Sequence, residues 1–351
     1  GSSVEVFDLS TSTVLASSPL ASTHAVHVLG SNTAIDRVQI DYAVGGFFNL
    51  SGGVEVIGGA NLGDTLTVIG TAATQAVYST TLFPAGETFL SVSGATDSHI
   101  LQYGDFESLT FEGLKAFSAL SALNIGSNSL TFGSVESVDL GSLTLIDGGT
   151  LTSVNSLVIG TNEILAGAGT VAARISGEAG SLLQVNGDMV VGDASSADGF
   201  STAGDVDVGD GTLTLLDLNQ AILGSLTSLG AATFAGTLVA ANGLQVRAGA
   251  LVVGVGTLQT PNDSAKPLTN DCEILGNSAF EKITLPGYVD GIGVLDQVII
   301  SGTISPGTAP AGSPVDTQFG SVNYAAGSTT LIELGGPLAG SSGHDQIKHT
   351  G

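Results

Sequence analysis

One local unit recurs along this chain and constrains it most. A few residues alternate between apolar and small polar side chains, and Gly or Asx closes the run. Examples are Asp64-Thr-Leu-Thr-Val-Ile-Gly70, Ser129-Leu-Thr-Phe-Gly133, Ser156-Leu-Val-Ile-Gly160, Thr212-Leu-Thr-Leu-Leu216, Ala250-Leu-Val-Val-Gly254 and Gln297-Val-Ile-Ile-Ser301. A period of two puts Leu, Val and Ile on one face of a strand and Thr or Ser on the other. Asp147-Gly148, Asn186-Gly187, Asp210-Gly211, Asn242-Gly243 and Asp290-Gly291 offer turns that tolerate positive φ. Helix formers are scarce, and Gly alone contributes 51 residues.

Spacing turns these strands into an architecture. Leu109, Leu123, Leu130, Leu143 and Leu157 recur at one short step or at about twice that step. Leu213, Leu226, Leu238 and Leu251 follow one another at a nearly constant interval. Gly141-Ser-Leu-Thr-Leu-Ile-Asp147 returns later in the chain as Gly211-Thr-Leu-Thr-Leu-Leu-Asp217. Imperfect repetition of short strands and Gly turns predicts stacked coils, each burying its apolar face against the next. The expected fold is all-β: a parallel β-helix, or β-solenoid, over residues 106–351, preceded by an irregular β region over 1–105 that acts as a cap or as first coils. A β-sandwich or closed barrel is the competing architecture. The solenoid places Leu143, Leu157, Leu213, Leu226 and Leu251 in the core.

Charge excludes several partners. Seven Lys and Arg stand against 32 Asp and Glu, a formal net charge of -25. Nucleic acid binding needs clustered cations that release phosphate counterions, so it is not expected. No long uncharged apolar run suggests membrane insertion, and Gly1-Ser2-Ser3 has no basic or apolar leader character. Cys272 is the one cysteine, so no internal disulfide is expected and a small packed side chain is the simplest reading.

Catalytic patterns are weak. Glycosidases need two carboxylates across a cleft. Asp205 and Asp207 share one strand face, but an acidic surface ladder looks the same. Arg37, Lys115, Arg174, Arg247, Lys266, Lys282 and Lys348 sit in no acidic constellation of the kind a polysaccharide lyase uses. Neither a nucleophile elbow nor a P-loop is present. No catalytic residue and no cofactor is therefore expected. For metals, Asp193, Ser195 and Asp198 have calcium-loop composition, with hard oxygen donors at short spacing. They depart from the EF-hand pattern, and closing turns through side-chain hydrogen bonds to backbone explains them equally well. His24, His27, His99, His344 and His349 are dispersed.

Gly192-Asp-Ala-Ser-Ser-Ala-Asp-Gly-Phe200, Gly254-Val-Gly-Thr257, Gly302-Thr-Ile-Ser-Pro-Gly307 and Ile332-Glu-Leu-Gly-Gly336, in that order, form a further pattern. It resembles the Gly-rich β-strand repeat modules of very large secreted planctomycete and cyanobacterial surface proteins, similar to autotransporter passengers. The resemblance covers the chain from about residue 105 onward. It implies a parallel β-helix and an extracellular or cell-surface location, with no settled activity. His344 departs from the aromatic expected before Asp345.

A noncatalytic structural or adhesive module is thus the expected function: a stalk, surface-layer or fibre component. A carbohydrate-binding or carbohydrate-cleaving β-helix is the alternative. Strand-like sequence at Ser3-Val-Glu-Val-Phe-Asp-Leu9 and Ser328-Thr-Thr-Leu-Ile-Glu-Leu334 suggests open terminal coils. The expected partners are therefore the chain itself or neighbouring modules of its type, end to end, with cell-surface glycans a further candidate.

Overall fold

The computed structural model describes residues 3–8, 10–78, 87–192, 199–231, 234–305 and 317–331. Within them the chain is nearly all strand, stacked in parallel as a β-solenoid. A single 3-10 turn, Leu20–Ser22, is the one helical element among the described residues. Two compact units divide the chain, residues 1–155 and 156–351.

The first unit begins with an antiparallel hairpin, Ser3–Asp8 with Thr13–Pro19. A parallel ladder then joins Arg37–Asp41, Thr65–Ile69, Ser108–Glu112, Ser129–Phe132 and the second half of Leu143–Ser153. In register, Val38 faces Leu66, Leu66 faces Leu109, Leu109 faces Leu130, and Leu130 faces Leu151. The steps from Leu109 to Leu130 and from Leu130 to Leu151 are equal in length. The sequence spacing from Leu109 through Leu123 to Leu130 already contains that step. Leu66, Leu109, Leu130 and Leu151 are all buried. Phe111, Phe117 and Phe132 fill the space between these coils, with ring centroids 4.8 to 6.0 Å apart.

Between Leu66 and Leu109 the coil is longer, because it carries an antiparallel excursion. Gln75–Tyr78 pairs with Glu87–Ser93, which pairs with Ser98–Gly104. The last of these returns to parallel pairing with Val54–Ile57, and that strand pairs with Val26–Leu29. The result is a mixed seven-stranded sheet.

The second unit has three parallel faces, one of them nine strands from Leu157–Ile159 to Thr329–Thr330. Its coils vary in length. Leu157 pairs with Ile175, Leu213 with Leu238, and Ile283 with Val298. Of these three steps the second is the longest and the third the shortest. The core here is aliphatic, with Leu183, Val185, Leu213, Leu238, Leu258 and Leu285 buried.

Several Asx-Gly pairs do not end strands as turns. They bend a continuous strand from one face to the next. In Leu143–Ser153, Thr144–Ile146 pairs with one strand of the preceding coil, Leu123–Gly126, and Thr150–Ser153 with the next, Ser129–Phe132. The bend is at Asp147-Gly148, where Gly148 has φ 80°. In the second unit the corners stack on each other. Gly256 has φ 153°, and a Cβ there would meet the Gly236 carbonyl oxygen at 2.0 Å.

The core expectation is corrected at three positions. Leu157 and Leu213 are buried, but Leu143 is half-buried, Leu226 is 41% exposed, and Leu251 is half-buried. Their strands are in the opposite register, with Thr144, Thr227 and Val252 inward. In the inward row Thr227 faces Val252, which faces Ile274; Leu226, Leu251 and Glu273 form the outward row. Two features set this choice. Ile146 and Leu229 must be buried at the ends of these segments, and a period of two then fixes the rest. Thr144 tolerates burial because its hydroxyl donates to the Leu140 carbonyl at 3.0 Å.

Candidate functional site

Asp193, Ser195 and Asp198 lie outside the described residues, so the structure places none of their donors. Their neighbours are described. Asp205 and Asp207 share the outward face of Asp205–Asp207, as the sequence indicates, with Val206 buried between them. Both carboxylates serve the backbone or an adjacent coil. Asp205 accepts from the Ser225 hydroxyl at 2.7 Å and the Leu226 N–H at 3.3 Å; Asp207 accepts from the Gly209 N–H at 3.2 Å.

The same use recurs and gives the acidity a structural role. Asp64 accepts from the Asp36 N–H of the preceding coil at 2.7 Å, and Glu107 from the Gly63 and Asp64 N–H groups at 2.8 and 2.9 Å. Asp296 accepts from the Ser321 N–H of the following coil at 2.6 Å, and Glu178 from Thr161 of the preceding one. Corners leave backbone N–H groups unpaired, and a carboxylate is the strongest side-chain acceptor for them. Among the described residues, no three His, Cys, Asp or Glu side chains converge on one point. Cys272 is half-buried and free.

A concave surface forms where the antiparallel excursion meets the loop before Val54. Outward residues of the mixed sheet, Phe89, Ser91, Ile100 and Gln102, make its floor, and Asn49 and Ser51 its wall, around an open volume of about 720 Å³. Phe89 and Ile100 are each nearly half exposed.

Behind the wall sits a buried polar pair. His99 Nδ1 donates to the Phe48 carbonyl at 2.9 Å, which leaves Nε2 to accept the Tyr42 hydroxyl at 2.7 Å. Phe47 and Phe48 pack against both rings, with centroids 4.9 to 5.5 Å apart. Burial raises the Tyr42 phenol above its ordinary value. Burial also lowers the His99 imidazole, against the smaller opposite effect of its bond to Phe48. Both groups are therefore neutral at pH 7, and the pair anchors the loop. Gly94 permits the packing, since a Cβ there would meet Phe47 at 2.6 Å.

The histidines are dispersed in sequence, and no carboxylate cluster adjoins His24 and His27 along the chain. The ladder supplies a carboxylate: His27 Nδ1 contacts Glu55, its register partner on the neighbouring strand. His24 Nδ1 meets the Ser51 hydroxyl at 2.8 Å. Neither contact was legible without the coil length.

No family model matches the chain, and neither a curated protein nor a solved structure matches it.

Proposed function

We propose that this chain is a noncatalytic structural or adhesive β-solenoid module of an extracellular protein, of the kind found in large secreted surface proteins, and that it associates end to end with itself or with modules of its type. The first coil carries the reading. Among the described residues, Val26–Leu29 has register pairs only with Val54–Ile57, and Arg37–Asp41 only with Thr65–Ile69. Val26, Val28 and Val38 are half-buried where their partners Val54, Val56 and Leu66 are buried. Leu29 is 75% exposed and Ile35 57% exposed beside them. An edge with open backbone groups and an incompletely covered core supports addition of another strand. A contact of this kind is heterologous and propagates into a fibre unless it closes.

Light scattering and electron microscopy across concentration test this. Growing end-to-end species are expected, and Leu29→Asp should suppress them. Strictly monomeric wild-type protein at high concentration would overturn the assembly. The second reading, carbohydrate binding, rests on the concave surface with its exposed Phe89 and polar wall. A glycan array combined with a reducing-sugar assay separates the two, because turnover would contradict a noncatalytic module. Calcium at Asp193, Ser195 and Asp198 remains a proposal as well. A rise in Tm specific to Ca²⁺ and lost in Asp193→Ala would establish it, whereas equal effects of Mg²⁺ and Ca²⁺ at matched ionic strength would indicate charge screening.

A further inference from the structure

The outward side of the ladder that carries Leu66 to Leu151 is as regular as its core. Thr65 and Thr67, Ser108 and Thr110, Ser129 and Thr131, and Thr150 and Thr152 flank the buried Leu66, Leu109, Leu130 and Leu151 on four consecutive strands. Register pairing makes two columns: Thr65, Ser108, Ser129, Thr150, and beside it Thr67, Thr110, Thr131, Thr152. All eight side chains are half-buried and face outward. Parallel strands give this grid a repeat of ~4.8 Å across and ~6.6 Å along.

None of the eight hydroxyls has a protein hydrogen-bond partner among the described residues, although polar side chains elsewhere are spent on corners. The grid itself contains no charge and no aromatic ring. Six of its members are Thr, whose branched side chain holds few χ1 states, so each hydroxyl and methyl keeps its place. Behind them a close-packed leucine and phenylalanine core fixes the plane.

The missing chemistry narrows the ligand. A metal ion needs carboxylates, a phosphate needs cations, and a single sugar ring is commonly held on an aromatic platform. A neutral grid of hydroxyls, each one donor and two acceptors, matches a ligand that is itself a flat lattice of donors and acceptors. We propose that this face binds the surface of crystalline water. Each contact is weak, but the rigid grid makes many at once with little ordering cost. The site is independent of end-to-end assembly, since it lies on the side of the coils and not on their open rung.

Thermal hysteresis and inhibition of ice recrystallisation by the full chain, against an inert protein at equal mass, test the idea. The chain should slow recrystallisation and the inert protein should not. Thr110→Lys and Thr131→Lys at the middle of the grid should abolish the effect, while Ser118→Lys, outward on a different sheet, should leave it intact. Thr131→Tyr projects from the plane yet suits a strand, and replaces the lysine variant if circular dichroism shows that variant misfolded. A wild-type chain indistinguishable from the inert protein overturns the proposal. Equal loss with Ser118→Lys, or retention of crystalline cellulose or chitin with no effect on ice, also overturns it.

Discussion

The two units solve one stacking problem in different ways. From Leu109 through Leu130 to Leu151 the first unit keeps a constant coil length, so aromatic rings stack inside and hydroxyls align outside. The second unit lets its coils vary, from the short step between Ile283 and Val298 to the long one between Leu213 and Leu238. Its equivalent outward column keeps Thr212, Thr237, Thr257 and Thr284, but the neighbouring column reads Thr214, Val239 and Gln259. Inward register survives variable coil length because burial enforces it, whereas outward regularity persists across the long coil between Leu66 and Leu109 but is lost in the second unit. A uniform face therefore needs either a strict repeat or a reason to keep the residues uniform.

Truncating the core should break the comparison most severely. Leu130→Ala and Leu213→Ala, one in each unit, should each cost about 2–5 kcal/mol in denaturant unfolding. Leu226→Ala, on the outward row, should cost well under ~1 kcal/mol. Comparable losses at Leu226 and Leu213 would mean that the register of Leu226–Ser228 is wrong.

Corner glycines come next. Gly256→Ala must move backbone, since its Cβ would lie 2.0 Å from the Gly236 carbonyl oxygen, and should cost about 2–3 kcal/mol. Gly148 also has positive φ, but nothing lies within 4 Å of its Cβ position. Gly148→Ala should therefore cost only about 1 kcal/mol. Chemical melts of the two variants would show whether corners in the second unit are truly more crowded.

Acid should act in opposite senses on two groups, His99 in the first unit and Asp290 in the second. His99 has a lowered imidazole, so the folded state binds fewer protons than the unfolded chain as pH falls below the ordinary histidine value of about 6.5. Its contribution is present above that pH and lost on acidification. A His99→Gln variant should flatten the pH dependence of denaturant unfolding over this range. Asp290 is shifted upward, first by burial and then by Asp271, opposed by a hydrogen bond from Thr269. Its charge weakens the folded state at neutral pH, and the penalty disappears as pH falls through its raised value. Asp290→Asn should stabilise the second unit by about 0.5 kcal/mol at pH 7, with the gain vanishing in acid. A stability loss at pH 7 would contradict that reading of Asp290.

Much of this architecture was legible in the sequence, because alternation and Gly-Asx corners are local signals. Leu109, Leu123, Leu130, Leu157, Leu213 and Leu238 are buried as their strands suggest. The misread strands contain apolar residues on both parities. In Ser225-Leu-Thr-Ser-Leu229 the two leucines sit on opposite parities, so one must face out, and only the corner beyond Leu229 decides which. The concave surface was less legible. The Phe47-Phe48 loop lies in the irregular region expected over 1–105, but its contact with His99 depends on an excursion whose pairing is entirely nonlocal. The hydroxyl columns lie in the same alternating runs, yet their register across four coils needs the coil lengths.

Disulfide trapping tests the register of the regular coils most directly. In a Cys272→Ser background, Thr110→Cys with Thr131→Cys places two outward side chains on adjacent parallel strands, within the Cα separation of about 4.4–6.8 Å that a disulfide accepts. Oxidation should cross-link this pair readily and leave Thr110→Cys with Phe132→Cys unlinked, because Phe132 points into the core. Preferential cross-linking of the second pair, or equal yields from both, would contradict the solenoid register on which the core, the corners and the hydroxyl grid all depend.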